Sequence, residues 1–407
     1  MITVLAALLT GCSGRPTPPV QDTGEDTAID TGGLNLPRFS EYADVVWTGP
    51  GAITEAALLW AEGGCTPCVM AAYGVYLDNE WGLPGTGFVL LGREGQVRQF
   101  QADPLDKLTT SPAGDCGGGF AVGDVDGDSV EDLVCSGPGG PTWLLPGPLR
   151  LDAGRSFVAG DIAPPLSAPV GGQFVDCDLN ADGQADLCSA IGIAIGPVGP
   201  SEPPSSDFLD PRREDRLLRL DGPASKLLLY QSFSQQLMVL DPATLSAHIG
   251  NPITRAELAE YTADVPGLLG GLEMYTTPTG DSWVLASLAV EPGPHFELRA
   301  WRADTLQPVF TLNPGFSAAQ ATEVTVGDFD LDGVFDIAIA ADHRVGVAMG
   351  PVDSDTNIEL VWRYDPVARG GTIGRHLTAN GSDLWLATSD AQEVWLLPNP
   401  HLPPGSR

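Results

Sequence analysis

Asp124-Val-Asp126-Gly-Asp128-Ser-Val130-Glu-Asp132, Asp178-Leu-Asn180-Ala-Asp182-Gly-Gln184-Ala-Asp186 and Asp328-Phe-Asp330-Leu-Asp332-Gly-Val334-Phe-Asp336 share one grammar. Each places an oxygen-bearing side chain at positions 1, 3, 5 and 9 and a small residue at position 6. Alternate side chains of such a stretch point into a tight curl, where position 7 (Val130, Gln184 and Val334) adds a backbone carbonyl. The small residue lets the chain turn sharply. Carboxylates crowded this closely repel one another unless a hard cation sits among them. A single stretch of this kind is open to a second reading as a solvated acidic loop; three with one spacing point to Ca2+ at about three sites.

The flanks exclude a helix–loop–helix arrangement. Phe120-Ala-Val122 and Leu133-Val134 bracket the first loop, and Val324-Thr-Val326 and Ile337-Ala-Ile339 bracket the third. Short β-type runs on both sides of a tight turn predict hairpins. The loops also recur: 54 residues separate Asp124 from Asp178, and 150 separate Asp178 from Asp328, near three further periods of fifty. A second marker follows each loop, in Trp143-Leu-Leu-Pro-Gly-Pro-Leu149, Ile193-Ala-Ile-Gly-Pro-Val198 and Val347-Ala-Met-Gly-Pro-Val352. It reads as a blade's third strand, with weaker copies at Phe88–Leu91, Leu237–Leu240, Phe296–Trp301 and Val394–Pro398. A repeat of this length built from short strands predicts an all-β fold, a β-propeller of about seven blades with calcium-binding loops in some of them. Tyr42-Ala-Asp-Val-Val-Trp47 matches Ile358-Glu-Leu-Val-Trp362, an outer strand, so the N-terminal strand is expected to close the last blade.

Together the acidic loop and the Gly-Pro marker resemble the FG-GAP/VCBS repeats of integrin-α-like β-propellers, over roughly residues 42–400. The resemblance implies calcium in the loop joining a blade's first two strands. It is weak around 50–105 and 200–300, where no acidic loop occurs. Ser129 stands where the family has glycine, and Asn180 where it has aspartate.

Ile2–Leu9 is apolar and leads into Leu9-Thr-Gly-Cys12. That resembles a bacterial lipoprotein lipobox, which implies a signal peptide at 1–12 and lipidation of Cys12. With Ser13 rather than aspartate next, the resemblance implies the outer membrane or cell surface of a Gram-negative envelope. Residues 13–40 are rich in Pro, Thr, Gly and Asp without apolar periodicity, the composition of an extended acidic tether. The propeller is then expected over 41–407. Six further cysteines (Cys65, Cys68, Cys116, Cys135, Cys177 and Cys188) form an even set, suited to disulfides in an oxidising compartment. Cys177 and Cys188 flank one loop on opposite strands of its hairpin, and Cys116 and Cys135 flank another. Cys65-Thr-Pro-Cys68 lacks both a partner CxxC for zinc and a βαβ context for redox work, and reads as a small-loop disulfide.

The formal charge of −33 excludes nucleic acid as a partner and disfavours direct contact with anionic headgroups, leaving the membrane to the lipid anchor alone. No nucleophile elbow, zinc helix or phosphate loop occurs. The five histidines are scattered, and a lone histidine is more often structural than a ligand. Thr254-Arg-Ala-Glu257 has the form of a capping box, predicting a short helix from Ala256 to Tyr261. The reading is a monomeric, non-catalytic binding or adhesion module for an extracellular or envelope protein or a polysaccharide. An exported lyase or hydrolase, and a structural part of an envelope complex, are the alternatives.

Overall fold

Leu227-Leu-Leu-Tyr230 and Val284-Leu-Ala-Ser-Leu288 are nearly unbroken apolar runs, and the computed structural model shows why both faces of those strands need to be apolar. It describes the strands between Asp44 and Pro398, the turns at 124–128, 146–147, 232–235, 265–266, 277–281, 303–307, 328–335 and 349–353, and the single positions Val130, Asp178, Asp241, Thr244, Glu257 and Asn313; side chains are described for parts of 124–188 and most of 216–353. The strands described form seven sheets, consecutive along the chain and antiparallel apart from one added strand. The inner strands touch in turn: Ile53–Ala61, Gly119–Gly123, Phe174–Cys177, Arg216–Leu220, Gly267–Thr276, Glu323–Gly327, His376–Asn380, and back to Ile53–Ala61. That cycle is a β-propeller ring, numbered here from blade 1 at Ile53. Within it a middle strand meets a neighbouring blade on each face. In blade 5, Val284, Ala286 and Leu288 pack against Leu228, Tyr230 and Val239 of blade 4. Leu285, on the opposite face, joins Tyr275, Phe296, Ile337 and Ile339 between blades 5 and 6. Outer strands carry no such demand, and Ala259–Asp264 of blade 4 is mostly exposed.

All seven expected third strands occupy the third position of a sheet. Closure is also as expected. Asp44–Thr48 pairs antiparallel with Glu393–Pro398, Asp44 facing Leu396 and Thr48 facing Glu393, which completes the sheet of His376–Asn380 and Asp383–Thr388. This removes the open edge that the blade would otherwise present. Two features were not foreseen. Phe157–Val158 leaves blade 2 and adds a short parallel strand to the outer strand of blade 1, Val97–Gln101. The helix predicted for Ala256–Tyr261 is corrected by the structure: Glu257 is helical, but the chain is a strand from Ala259. Pairing of Tyr261 with Val239 completes blade 4, and that ladder outweighs the local helix signal.

The compact unit that contains the ring runs from Pro37 to Arg407. Cys12 and the 13–40 segment lie outside the described residues, as do Cys65 and Cys116; Cys68 and Cys135 are described only as strand positions. Among the described residues no helix is long and apolar enough to cross a membrane.

One inner-strand carboxylate gives a pH-dependent prediction. Glu273 is partly exposed yet crowded by protein, and burial raises its pKa to about 7, opposed by the N–H of Met274 at 3.1 Å. A folded-state pKa above the ordinary 4.5 makes the wild type lose stability as pH rises from about 4.5 towards 7. Glu273→Gln is expected to abolish that slope. With the partial exposure discounted, it should exceed the wild type by about 1–2 kcal/mol at pH 8. Urea midpoints at pH 5 and pH 8 check this; an unchanged difference between the two proteins would contradict it.

Candidate functional site

Each aspartate loop joins the first strand of its blade to the second. Inner strands of a propeller run in parallel directions, so these turns share one face with the turns that follow the third strands. The loops of blades 2 and 6 are described well enough to compare atom by atom.

In blade 6 the side chains hold their own loop. Asp328 Oδ2 accepts from the N–H of Gly333 at 3.1 Å, Asp330 Oδ1 from Asp332 at 3.1 Å, and Asp332 Oδ1 from Val334 at 2.7 Å. In blade 2, Asp124 Oδ1 accepts from Gly127 at 2.9 Å, Asp126 Oδ1 from Asp128 at 3.1 Å, and Asp128 Oδ1 from Val130 at 2.8 Å. Oxygens of Asp124, Asp126 and Asp132 lie within 4.8 Å of one another, as do those of Asp328, Asp330 and Asp332. Ligand oxygens on one calcium ion, at about 2.4 Å from it, stand no further apart than this. Asp328 Oδ1 is buried and accepts no hydrogen bond. A buried carboxylate oxygen with nothing to accept is costly, and a hard cation would relieve it. The donors are all carboxylates, so the residues fit calcium. In blade 3, Asp178 and Asp186 are described, the latter fully buried, whereas Asn180, Asp182 and Gln184 fall outside the described residues.

The ninth position does more than the sequence suggested. Asp132 and Asp336 are 0% and 1% exposed. Asp336 Oδ2 accepts the N–H of Phe329 at 2.8 Å, and its Oδ1 accepts the N–H of Gly350, in the turn after the third strand, at 2.7 Å. Asp132 repeats the pattern: Oδ2 takes Val125 at 2.9 Å and Asp126 at 3.1 Å, while Oδ1 takes Gly147 at 2.8 Å. The Gly-Pro marker is therefore the receiving end of a brace from the aspartate loop. Gly350 is required there because a Cβ would strike Phe335 O at 2.5 Å and Val334 Cγ1 at 2.7 Å. Burial raises the pKa of both carboxyls, against the lowering effect of the backbone N–H groups; neighbouring loop aspartates raise them further. A bound cation would act in the opposite sense.

Blade 5 lacks the aspartate spacing and braces the same two turns differently. Thr277–Asp281 closes on itself through Asp281 N–H to Thr277 Oγ1 at 2.9 Å. Arg302, at the end of the third strand, reaches Asp281 at 3.4 Å and Asp304 at 3.3 Å. Sequence reading missed this arrangement, since a lone Thr-Gly-Asp carries no repeat. In blade 3 the hairpin is bridged by the Cys177–Cys188 disulfide, with Cα atoms 6.1 Å apart. The two cysteines are diagonal rather than opposite, because Cys177 faces Asp186 and Cys188 faces Val175.

No family model matches the chain. No curated protein matches it either. Among solved structures it is similar to the Dos1 propeller, at 11% identity and a TM-score of 0.48, over 89% of this chain and 95% of that one. It is also similar to BBS1N, from its complex with ARL6DN, at 11% identity and a TM-score of 0.34, over 69% of this chain and 92% of that one. What makes this chain a β-propeller is its own strand pairing and its closed cycle of inner strands.

Proposed function

We propose that this chain is a calcium-stabilised β-propeller, anchored to the cell envelope through Cys12, that binds a protein or polysaccharide without catalysing a reaction. Two observations carry the metal: carboxylate oxygens of Asp328, Asp330 and Asp332 converge, and Asp328 has a buried Oδ1 that accepts no hydrogen bond. Asp124, Asp126 and Asp132 support a second site, and the sequence of Asp178–Asp186 a third. Bound there, calcium supplies charge compensation and loop rigidity. A pre-ordered loop loses less entropy when a ligand docks, which is how a metal can serve binding without touching the ligand.

Two measurements test this reading. The full chain, expressed in a Gram-negative host, should partition into detergent and lose that behaviour on Cys12→Ser; equal partitioning of both would remove the anchor. Purified protein should then retain envelope proteins or polysaccharides in calcium and release them in chelator. Fragmentation of a polysaccharide by the protein would replace binding with catalysis.

A further inference from the structure

The blade-6 loop differs from the other two in one respect that neither metal ligation nor packing accounts for. Its fourth position is Leu331, at φ 65°, where the blade-2 loop has Gly127 at φ 85°. Its eighth is Phe335, where the others have Glu131 and Ala185. A left-handed backbone is costly for leucine and free for glycine. The side chain held this way is not buried in return: Leu331 is 61% and Phe335 46% exposed. Pro351 is exposed too, and it follows Gly350, which lies against the backbone of Phe335. Strain and solvent exposure at the same leucine suggest that something outside the chain covers it.

Charge narrows what that is. Asp330 and Asp332, on either side of Leu331, and Asp353, two residues after Pro351, are exposed, with Asp328 partly so. One divalent ion leaves half of the loop's four ligand-position carboxylates uncompensated. The whole chain carries −33, so a second copy, an anionic bilayer and nucleic acid are all repelled. We infer that Leu331 and Phe335, with Pro351, form a docking point for a cationic protein segment that brings apolar side chains of its own. This rests on the reading of the chain as a binding module and names the partner's chemistry. The apolar tips would supply contact area, and the carboxylate surround would supply steering and orientation.

The test uses the full chain in millimolar calcium at physiological salt, with two fluorescent peptides as probes, one alternating Leu and Lys, the other Leu and Glu. The Leu/Lys peptide should bind and the Leu/Glu peptide should not. Leu331→Asn combined with Phe335→Ser keeps the net charge and suits the left-handed backbone; it should weaken binding about tenfold, as loss of a buried anchor does. Phe233→Ser, on a turn at the opposite face, should bind like the wild type. Melting curves should show all three proteins folded, the double variant melting no lower than the wild type because asparagine relieves the left-handed backbone at 331. Equal binding by the double variant would overturn the docking point, as would tip-dependent dimerisation or tip-dependent binding to anionic vesicles. If the double variant matches the wild type while a calcium-dependent envelope ligand is found, the docking point alone falls. If the wild type binds neither peptide nor any envelope ligand, the binding-module reading falls with it.

Discussion

Withdrawing calcium from the full chain, disulfides intact, is expected to lower its melting temperature by roughly 10 °C, and calcium but not magnesium should restore it. At calcium a hundredfold above Kd, each site adds about 2.7 kcal/mol to the native state. Three sites together correspond to a shift of that order in a domain of this length. Magnesium demands a smaller, near-octahedral shell and gives up its waters reluctantly, so a loop of flexible carboxylates favours calcium. One substitution localises the effect. Asp328→Ala removes the buried oxygen that accepts no hydrogen bond, and calorimetric titration should count one ion fewer. In chelator the same variant should be close to the wild type, because loss of the Oδ2 bond to the exposed Gly333 N–H is offset by removal of the unsatisfied Oδ1. A melting curve indifferent to chelator, in protein shown to be metal-free, would leave the loops as acidic turns held by their own N–H groups.

How far the sequence could be read depended on whether a feature left a periodic trace. Asp124, Asp178 and Asp328 recur at near-multiples of fifty, and each third strand carries apolar residues before a turn, so the ring and its closure by Asp44–Thr48 were legible. The Ala256–Tyr261 helix was misread because a capping box is a local signal, whereas Tyr261 facing Val239 is a tertiary fact. Phe157–Val158 is too short to announce itself, and its partner strand ends 56 residues earlier, at Gln101. Within the site, the ligand spacing was readable and the brace was not, since Asp132 and Asp336 reach partners 15 and 14 residues away. A trace of it did exist: Gly147-Pro, Gly196-Pro and Gly350-Pro follow the third strands of the three blades that carry aspartate loops. The Arg302–Asp281 contact left no trace, because among the described residues it occurs in blade 5 alone.

Asp336→Ala is expected to be the most damaging single change in the loops, costing about 3–5 kcal/mol. The carboxylate is buried, and its removal orphans the N–H groups of Phe329 and Gly350 together. A buried donor left without an acceptor costs about 1–3 kcal/mol, and the cavity adds to that. Asp336→Asn should recover part of the loss and no more, because its oxygen can accept one of the two N–H groups while its amide meets the other donor to donor. The raised pKa of Asp336 does not argue against this. Burial favours the protonated form, yet a protonated carboxyl would still leave one oxygen to accept while its O–H faced the second N–H. Brace and ligand roles separate by measuring urea midpoints twice. In calcium, the variant loses the brace together with any ligand contribution; in chelator, it loses the brace alone. A deficit that persists in chelator establishes the link between the aspartate loop and the Gly350 turn as part of the fold. A deficit confined to calcium would reduce Asp336 to a ligand. With a whole domain stabilised by only about 5–15 kcal/mol, the larger outcome would leave the Ala variant near the edge of folding at 37 °C.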